Sequence, residues 1–150
     1  MKKYRHTNVA RFYNAAISRL LWMGVPIGPM VLLTVPGRKT SLPRTTPVAL
    51  ARHETGWQLV AAYGVVDWVK NLQAADSAVV TSRRCQVPVT SRQLPDDQAA
   101  PILRDSMASA GMMTRLAVGP YFDADPKAPL EAWREEAIHH PVFVLTPASD

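Results

Sequence analysis

Residues 34–48, TVPGRKTSLPRTTPV, form the stretch that decides the fold of this chain. The apolar run MVLLTV leads into the stretch and the run PVAL leads out of it, a pattern typical of two strands joined by a polar connection. The connection carries Arg38, Lys39 and Arg44 beside Gly37. Glycine lets the main chain approach a ligand closely, and arginine and lysine bind phosphate oxygens. These residues alone leave two alternatives open, a solvated hairpin and a cradle for an anion.

Length and charge bound the class of protein. A chain of 150 residues fits one domain, which we predict to cover residues 1–150. The formal net charge of +5 favours an anionic partner. Because Cys85 is the one cysteine of the sequence, an intramolecular disulfide is excluded, which suits a cytoplasmic protein. The apolar run 20–35 is interrupted by glycines and prolines, so we predict no transmembrane helix.

The remaining pattern predicts a mainly β fold with helical additions, of the α+β class. Six short segments have the length and composition of strands, and they do not alternate regularly with helices. This arrangement favours a small β-barrel of about six strands with helices outside it. The predicted strands are MVLLTV, TPVALAR, GWQLVAAY, SAVVTS, QVPVTSRQL and HPVFVLTP.

Four helices are predicted from apolar residues at three- and four-residue steps. The first covers residues 8–23, and it either packs on the core or also touches a membrane surface, with Trp22 near its end. The others are VVDWVKNLQAA, DDQAAPILRDSMAS and PLEAWREEAIHH. We predict a surface helix for the last of these, with His139 and His140 at its solvated end, and no metal site. Residues 110–129 read as an irregular loop or short helical pieces.

The cationic stretch is the first part of a longer pattern. GRKTSLPRTTPVAL is followed by GWQLVAAYG and then by DWVKNLQA, and this order and spacing resemble the deazaflavin-dependent nitroreductase family, F420H(2)-dependent reductases of split β-barrel fold. Two departures are that Ser41 stands where the family usually has glycine, and that a tyrosine-rich segment is reduced to Tyr121 with Phe122. The matching positions are Thr34, Gly37, Arg38, Lys39, Thr40, Arg44, Pro47, Gly64, Trp68, Asn71 and Ala74.

The resemblance implies a cofactor and a set of residues around it. The cofactor is coenzyme F420, an 8-hydroxy-5-deazaflavin whose tail carries a phosphate and a polyglutamate chain. Its anionic tail suits the basic connection. By the resemblance, the tail is held by Gly37, Arg38, Lys39, Thr40 and Arg44. The ring lies along Pro47 and Val48, and its polar edge is near Ala62, Tyr63 and Gly64. Trp68 and Asn71 complete the pocket wall.

The implied reaction is hydride transfer between reduced F420 and a small organic acceptor such as a quinone, a nitro compound or an activated ene. Tyr63 or Tyr121 could donate a proton or a hydrogen bond to the acceptor. Met112, Met113 and Leu116 suit an adaptable apolar roof over it.

Other functions remain open at this point. An FMN-dependent reductase and a non-catalytic carrier of a fatty acid, flavin or haem are the alternatives. We expect no nucleic-acid partner, because the cations of the connection alternate with Pro, Ser and Thr rather than with aromatic residues. Peripheral membrane contact through the first helix stays open, and the sequence does not fix the oligomeric state.

Overall fold

The computed structural model describes residues 8–148, with side chains described from residue 11 onward. This part of the chain contains five α-helices, one 3₁₀ turn and seven strands. The helices are α1 (Asn8–Trp22), α2 (Asp67–Ala75), α3 (Asp96–Ser109), α4 (Met112–Val118) and α5 (Leu130–His139), and the 3₁₀ turn is Gly119–Tyr121. The strands are β1 (Met30–Pro36), β2 (Pro43–Ala49), β3 (Ala51–His53), β4 (Gly56–Val60), β5 (Ser77–Ser82), β6 (Cys85–Gln93) and β7 (Val142–Pro147).

The seven strands form a single sheet in the order β2-β1-β5-β6-β7-β4-β3. β1 pairs antiparallel with both β2 and β5, and Thr34 lies opposite Thr45 in the first of these pairs. The sheet with its helices has the α+β, split-barrel-like fold that was predicted. Two predicted strands differ: TPVALAR is two strands, β2 and β3, and GWQLVAAY is a strand only as far as Val60, where β4 ends. Leu50 leaves the ladder between β2 and β3 and donates its N–H to Pro29 O at 3.2 Å.

Both hairpins predicted in the sheet are confirmed. β3 and β4 meet at the pair His53 and Gly56, and β5 and β6 meet at Ser82 and Cys85. The second turn consists of Arg83 and Arg84, both with positive φ (49° and 67°). Such a mirror-image turn matches the right-handed twist of paired strands.

The described residues group into two compact units. The sheet unit comprises residues 8–59, 67–92 and 144–148, and the helical unit comprises residues 60–66 and 93–143. The core of the sheet unit combines buried apolar residues of the strands with buried apolar residues of α2, among them Leu32, Leu33, Val35, Leu59, Val69, Leu72, Val80 and Val89. The helical unit buries Leu103, Trp133 and Phe143. The single domain over residues 1–150 stays a prediction.

The four predicted helices are present; α2 begins at Asp67 rather than at Val65, and one residue at the end of α5 was placed wrongly. α3 has the predicted bounds, and 110–129 contains two short helical pieces, as far as Tyr121, followed by an irregular stretch. α5 is a surface helix with one buried side, which carries Trp133, Glu136 and Ala137. His140 is also fully buried, so only His139 lies at a solvated end. The burial of the polar Glu136 and His140 could not be predicted from the local pattern, because their partners are distant in sequence.

The first helix, α1, packs through its C-terminal part. Leu21 is buried, whereas Phe12 is 78 % exposed and Tyr13 is 64 % exposed. The helix is therefore not packed on the core along its whole length. Within the described residues, no helix has the length and apolar character needed to cross a membrane.

Candidate functional site

The connection between β1 and β2 closes on itself through its main chain. Gly37 donates its N–H to Leu42 O, and Ser41 donates its N–H to Gly37 O, each at 2.8 Å. A Cβ at Gly37 would lie 3.0 Å from Thr40 Oγ1 and 3.3 Å from Leu42 O. Glycine is therefore the residue that fits this closed turn without displacing its neighbours. We call residues 37–44 the cationic loop.

The position where the chain departs from the family pattern has an unusual backbone conformation. Ser41 has a φ of 59°, in the left-handed region that glycine adopts at least cost. The loop therefore keeps the conformation for which a glycine is suited, and a serine adopts it. The replacement of glycine by Ser41 therefore changes the side chain but not the conformation of the turn.

Arg38 joins the cationic loop to the start of α2. Its main-chain N–H donates to Asn71 Oδ1 at 3.1 Å, and its Nη1 donates to the same oxygen at 2.8 Å. Its Nη2 lies 3.4 Å from Asp67 Oδ1, and its side chain is 28 % exposed. Asn71 is buried. Two segments of the family pattern, GRKT and DWVKN, therefore meet in one place within the sheet unit.

The other two cations of the loop remain accessible. Lys39 and Arg44 are exposed, and among the described residues neither side chain takes part in an ion pair or a hydrogen bond. The main-chain N–H groups of Lys39 and Thr40 likewise meet no acceptor in this part of the chain. Two free cations beside two successive free N–H groups are the donor set that a phosphate requires. The cationic loop thus fits an anionic tail.

The residues predicted along the cofactor ring differ in burial. Pro47 and Val48 are consecutive on β2, so their side chains point to opposite faces of the sheet. Val48 is buried and Pro47 is half-buried. Trp68, in the first turn of α2, is also half-buried.

The remaining predicted site residues lie in the helical unit. Ala62, Tyr63 and Gly64 follow the end of β4, where Gly64 has a φ of 90° and donates its N–H to Ala61 O at 3.1 Å. Tyr63 contacts Tyr121 edge to face, with ring centroids 5.0 Å apart at 86°. The two predicted proton donors are thus brought together, although 58 residues separate them in sequence.

Sequence reasoning missed Glu136 and His140, and it noted Asp67 only as a neighbour of Asn71 without a role at the site. Asp67 lies within the quoted DWVKN motif, four residues before Asn71, and this helical spacing was the available signal. Glu136 and His140 show the same spacing on α5 and beyond its end. Their burial had no signal in the sequence, because it depends on residues 61 and 121.

One described cavity, of about 360 Å³, lies within the sheet unit at the start of β1 rather than at its end. Its walls include Leu21, Met30, Trp57 and Val80, with Arg52 and Arg83 among the lining residues. The cationic loop follows the other end of β1, so this cavity is separate from the predicted tail site.

Comparison with solved structures places the fold. A protein described as a domain-swapped dimer has a TM-score of 0.55 and 17 % identity, over 92 % of this chain and 99 % of its own. A protein from Bacteroides thetaiotaomicron, provisionally described as a 5-nitroimidazole antibiotic resistance protein, has a TM-score of 0.51 and 8 % identity, over 89 % of this chain and 80 % of its own. An F420-H2 dependent reductase, FDR-A, has a TM-score of 0.45 and 21 % identity, over 78 % and 93 %. The first two carry the assignment of the fold.

Comparison with protein families identifies the type of activity. No functionally curated protein matches the chain. The family model described as F420H(2)-dependent quinone reductase matches residues 3–113, which include the cationic loop and α2. A match of this length decides between the F420 reductase and the FMN-dependent and carrier alternatives in favour of the first. The chain belongs to the F420H(2)-dependent quinone reductase family, and it is an oxidoreductase that uses coenzyme F420.

Proposed function

We propose that the cationic loop and the first turns of α2 bind the anionic tail of F420, and that the hydride acceptor is a quinone. The observation that carries the first part is the double hydrogen bond from Arg38 to Asn71. It holds the loop against α2 before any ligand arrives. Preorganisation of this kind lowers the cost of ordering the site on binding.

The roles of the cations divide accordingly. Arg38 is committed to Asn71 and Asp67, so it positions the loop and adds positive charge near the tail. Lys39 and Arg44 supply the direct contacts to tail oxygens, with the main-chain N–H of Thr40. Pro47 contacts the ring with its side chain, and Val48 contributes its main chain because its side chain is buried. Trp68 and Asn71 form the wall, and Gly37 gives the close turn.

The reaction divides between the cofactor and the protein. When bound, reduced F420 supplies a hydride, and the protein supplies position and electrostatics. Reduction of a quinone to a quinol consumes one hydride and one proton. Tyr63 and Tyr121 carry phenol O–H groups, which can hydrogen-bond to a quinone oxygen and deliver the proton. The contact between their rings holds the two phenols at a fixed mutual angle.

A quinone is favoured among the acceptors by the surface next to these tyrosines. α4 leads directly into the 3₁₀ turn that contains Tyr121. Met112, Met113 and Leu116 on α4 are 76 %, 79 % and 68 % exposed. Flexible apolar side chains of this kind adapt to an apolar ligand. A planar quinone with an apolar substituent matches both the tyrosines and this surface. A quinone is also the acceptor named in the description of the family.

The proposal is tested by steady-state oxidation of reduced F420, followed through the returning fluorescence of the oxidised cofactor. The acceptor panel contains a water-soluble quinone, a nitroimidazole and an activated ene, with each reaction repeated without protein. We expect the largest kcat/KM for the quinone. Turnover of the nitro compound or the ene with no quinone reduction would contradict the choice of acceptor.

A further inference from the structure

His140 is completely buried and both of its ring nitrogens face carbonyl oxygens. Nδ1 lies 2.9 Å from Ala61 O, and Nε2 lies 2.8 Å from Tyr121 O. The ring stacks on Phe122, with centroids 3.9 Å apart and an angle of 17° between the planes. All of these groups belong to the helical unit.

The two contacts fit a ring that carries a proton on each nitrogen. A carbonyl oxygen only accepts hydrogen bonds, and a neutral imidazole has one N–H donor and one lone pair. Either neutral tautomer would therefore point a lone pair at a carbonyl oxygen less than 3 Å away. Two donors, and hence the charged imidazolium, satisfy both contacts.

Glu136 supplies the opposite charge. It lies one helical turn before His140 and is 4 % exposed. Its Oε1 accepts the main-chain N–H groups of Asp123 and Ala124, at 2.5 and 2.6 Å, an arrangement that favours a carboxylate. Its Oε2 lies 3.6 Å from His140 Nε2 and has no hydrogen-bond partner among the described residues. Without a cation beside it, this buried oxygen would be uncompensated.

We propose that Glu136 and His140 form a buried ion pair, with His140 as the imidazolium, that positions Tyr63 and Tyr121. His140 holds the main chain at Tyr121 directly, and it holds the chain at Ala61, two residues before Tyr63. Ala61 is held from its other side by its own N–H, which donates to Pro141 O at 2.9 Å. Both residues of the pair lie beyond residue 113, where the family match ends. The positioning role rests on the proposed function of the two tyrosines, whereas the charge state of the pair does not.

The charge state is tested on the wild-type protein by ¹⁵N NMR of the histidine rings at neutral pH. The His139→Gln variant identifies the resonances of the exposed neighbour and leaves those of His140. We expect both ring nitrogens of His140 to carry a slowly exchanging proton. A bare imine nitrogen in that ring would overturn the ion pair.

The positioning role is tested with Glu136→Gln, which keeps the shape of the side chain and removes its charge, against Glu135→Gln on the exposed side of α5. Nuclear Overhauser contacts between the rings of Tyr63 and Tyr121 are expected in wild type and Glu135→Gln, and are expected to be lost in Glu136→Gln. Contacts that persist in a folded Glu136→Gln protein would overturn the positioning role. This readout needs no acceptor turnover, so it separates a failure here from a failure of the proposed function.

Kinetics provide the second readout on the same variants. With rates normalised to the fraction of protein that binds F420, we expect kcat/KM for the quinone to fall roughly ten- to hundredfold in Glu136→Gln. The Kd for F420 should change far less than kcat/KM, since the proposed contacts to the anionic tail lie on the cationic loop rather than at Tyr63 and Tyr121. A loss that disappears after normalisation would show that the pair serves folding alone and would overturn the positioning role. If Glu136→Gln does not fold, His140→Gln is compared with His139→Gln by the same contacts. Persisting ring contacts in that variant would again overturn the role.

Discussion

At the scale of single residues, Asn71 connects the family pattern to a physical contact. Its buried Oδ1 accepts two hydrogen bonds from Arg38, one from the main chain and one from the guanidinium. We predict that Asn71→Ala lowers the free energy of unfolding by about 1–3 kcal/mol, because two partly buried donors of Arg38 lose their acceptor. Urea unfolding followed by circular dichroism measures this change.

The matched substitution at this position is Asn71→Asp, which keeps an oxygen in the place of Oδ1 and adds a charge beside Arg38. We expect it to bind F420 more tightly than Asn71→Ala does. Equal stability and equal F420 affinity of wild type and Asn71→Ala would contradict the role of this contact in holding the loop.

The tyrosine pair leads to a separate prediction. Tyr121→Phe and Tyr63→Phe each remove a phenol O–H and keep the ring that makes the edge-to-face contact. We expect kcat for quinone reduction to fall roughly 10²- to 10⁴-fold in the variant that lacks the proton donor, the range typical of general acid catalysis. The Kd for F420 should not change in Tyr121→Phe; because Tyr63 is also predicted near the polar edge of the ring, Tyr121→Phe is the variant that separates proton transfer from cofactor binding. Wild-type kcat in both single variants and in the double variant would exclude the tyrosines as proton donors.

At the scale of elements, the cationic loop carries strain at one position. Ser41 has a positive φ in a turn whose family pattern has glycine there. The left-handed conformation costs a residue with a Cβ about 1–2 kcal/mol. Glycine avoids this cost, but part of the gain is offset because the unfolded chain has more conformational entropy with glycine. We predict that Ser41→Gly raises the free energy of unfolding by about 0.5–1 kcal/mol.

The control for the loop is Ser41→Ala, which removes the hydroxyl but keeps the Cβ. It should show no gain in stability in the same urea titration. A gain of equal size in both variants would mean that the hydroxyl, and not the backbone conformation, is responsible.

The exposed face of α4 makes a prediction about the acceptor. Replacing Met112, Met113 and Leu116 together with glutamine removes apolar surface from a helix whose side chains are exposed. Because surface substitutions usually change stability by less than about 0.5 kcal/mol each, the fold should persist. We expect KM to rise for a quinone with an apolar tail and to stay constant for a tailless quinone. An unchanged KM for both would remove α4 from the acceptor site.

The elements differ in how far the sequence predicted them. α3 was predicted at both ends, because acidic residues follow Pro95 and a periodic apolar face runs to Ser109. α5 was predicted in place, but the burial of Glu136 and His140 was not, since both are polar and are buried by contacts with residues 61, 121, 123 and 124. Pairing across long sequence separations is information that local periodicity does not contain.

The candidate site shows the same division. The cationic loop, Trp68 and Asn71 were predicted by resemblance, and the structure adds the contact from Arg38 to Asn71, which spans 33 residues of sequence. From that contact we propose that Arg38 positions the loop, in addition to the direct contact with the tail that the resemblance implies. The predicted roles of the individual site residues stay predictions until a bound cofactor is measured.

At the scale of the whole molecule, the net charge of +5 matches an anionic cofactor. Exposed cations act on a ligand through a field that salt screens within about 8–10 Å at physiological ionic strength. Binding of an F420 tail by Lys39 and Arg44 should therefore weaken as salt is raised. Removal of both cations should remove most of this salt dependence.

The most direct test is a titration of the purified protein with oxidised F420, followed by its fluorescence at low and high salt, with FMN run in parallel. The wild type is compared with the Lys39→Ala, Arg44→Ala double variant, whose fold is checked by circular dichroism. We predict saturable, salt-sensitive binding of F420 and no saturable binding of FMN. Each lost charge-assisted contact should weaken F420 binding by about 1.5–3 kcal/mol, that is, at least tenfold. Unchanged F420 affinity in a folded double variant, or equal affinity of the wild type for FMN, would contradict the assignment of the cationic loop to the tail of F420.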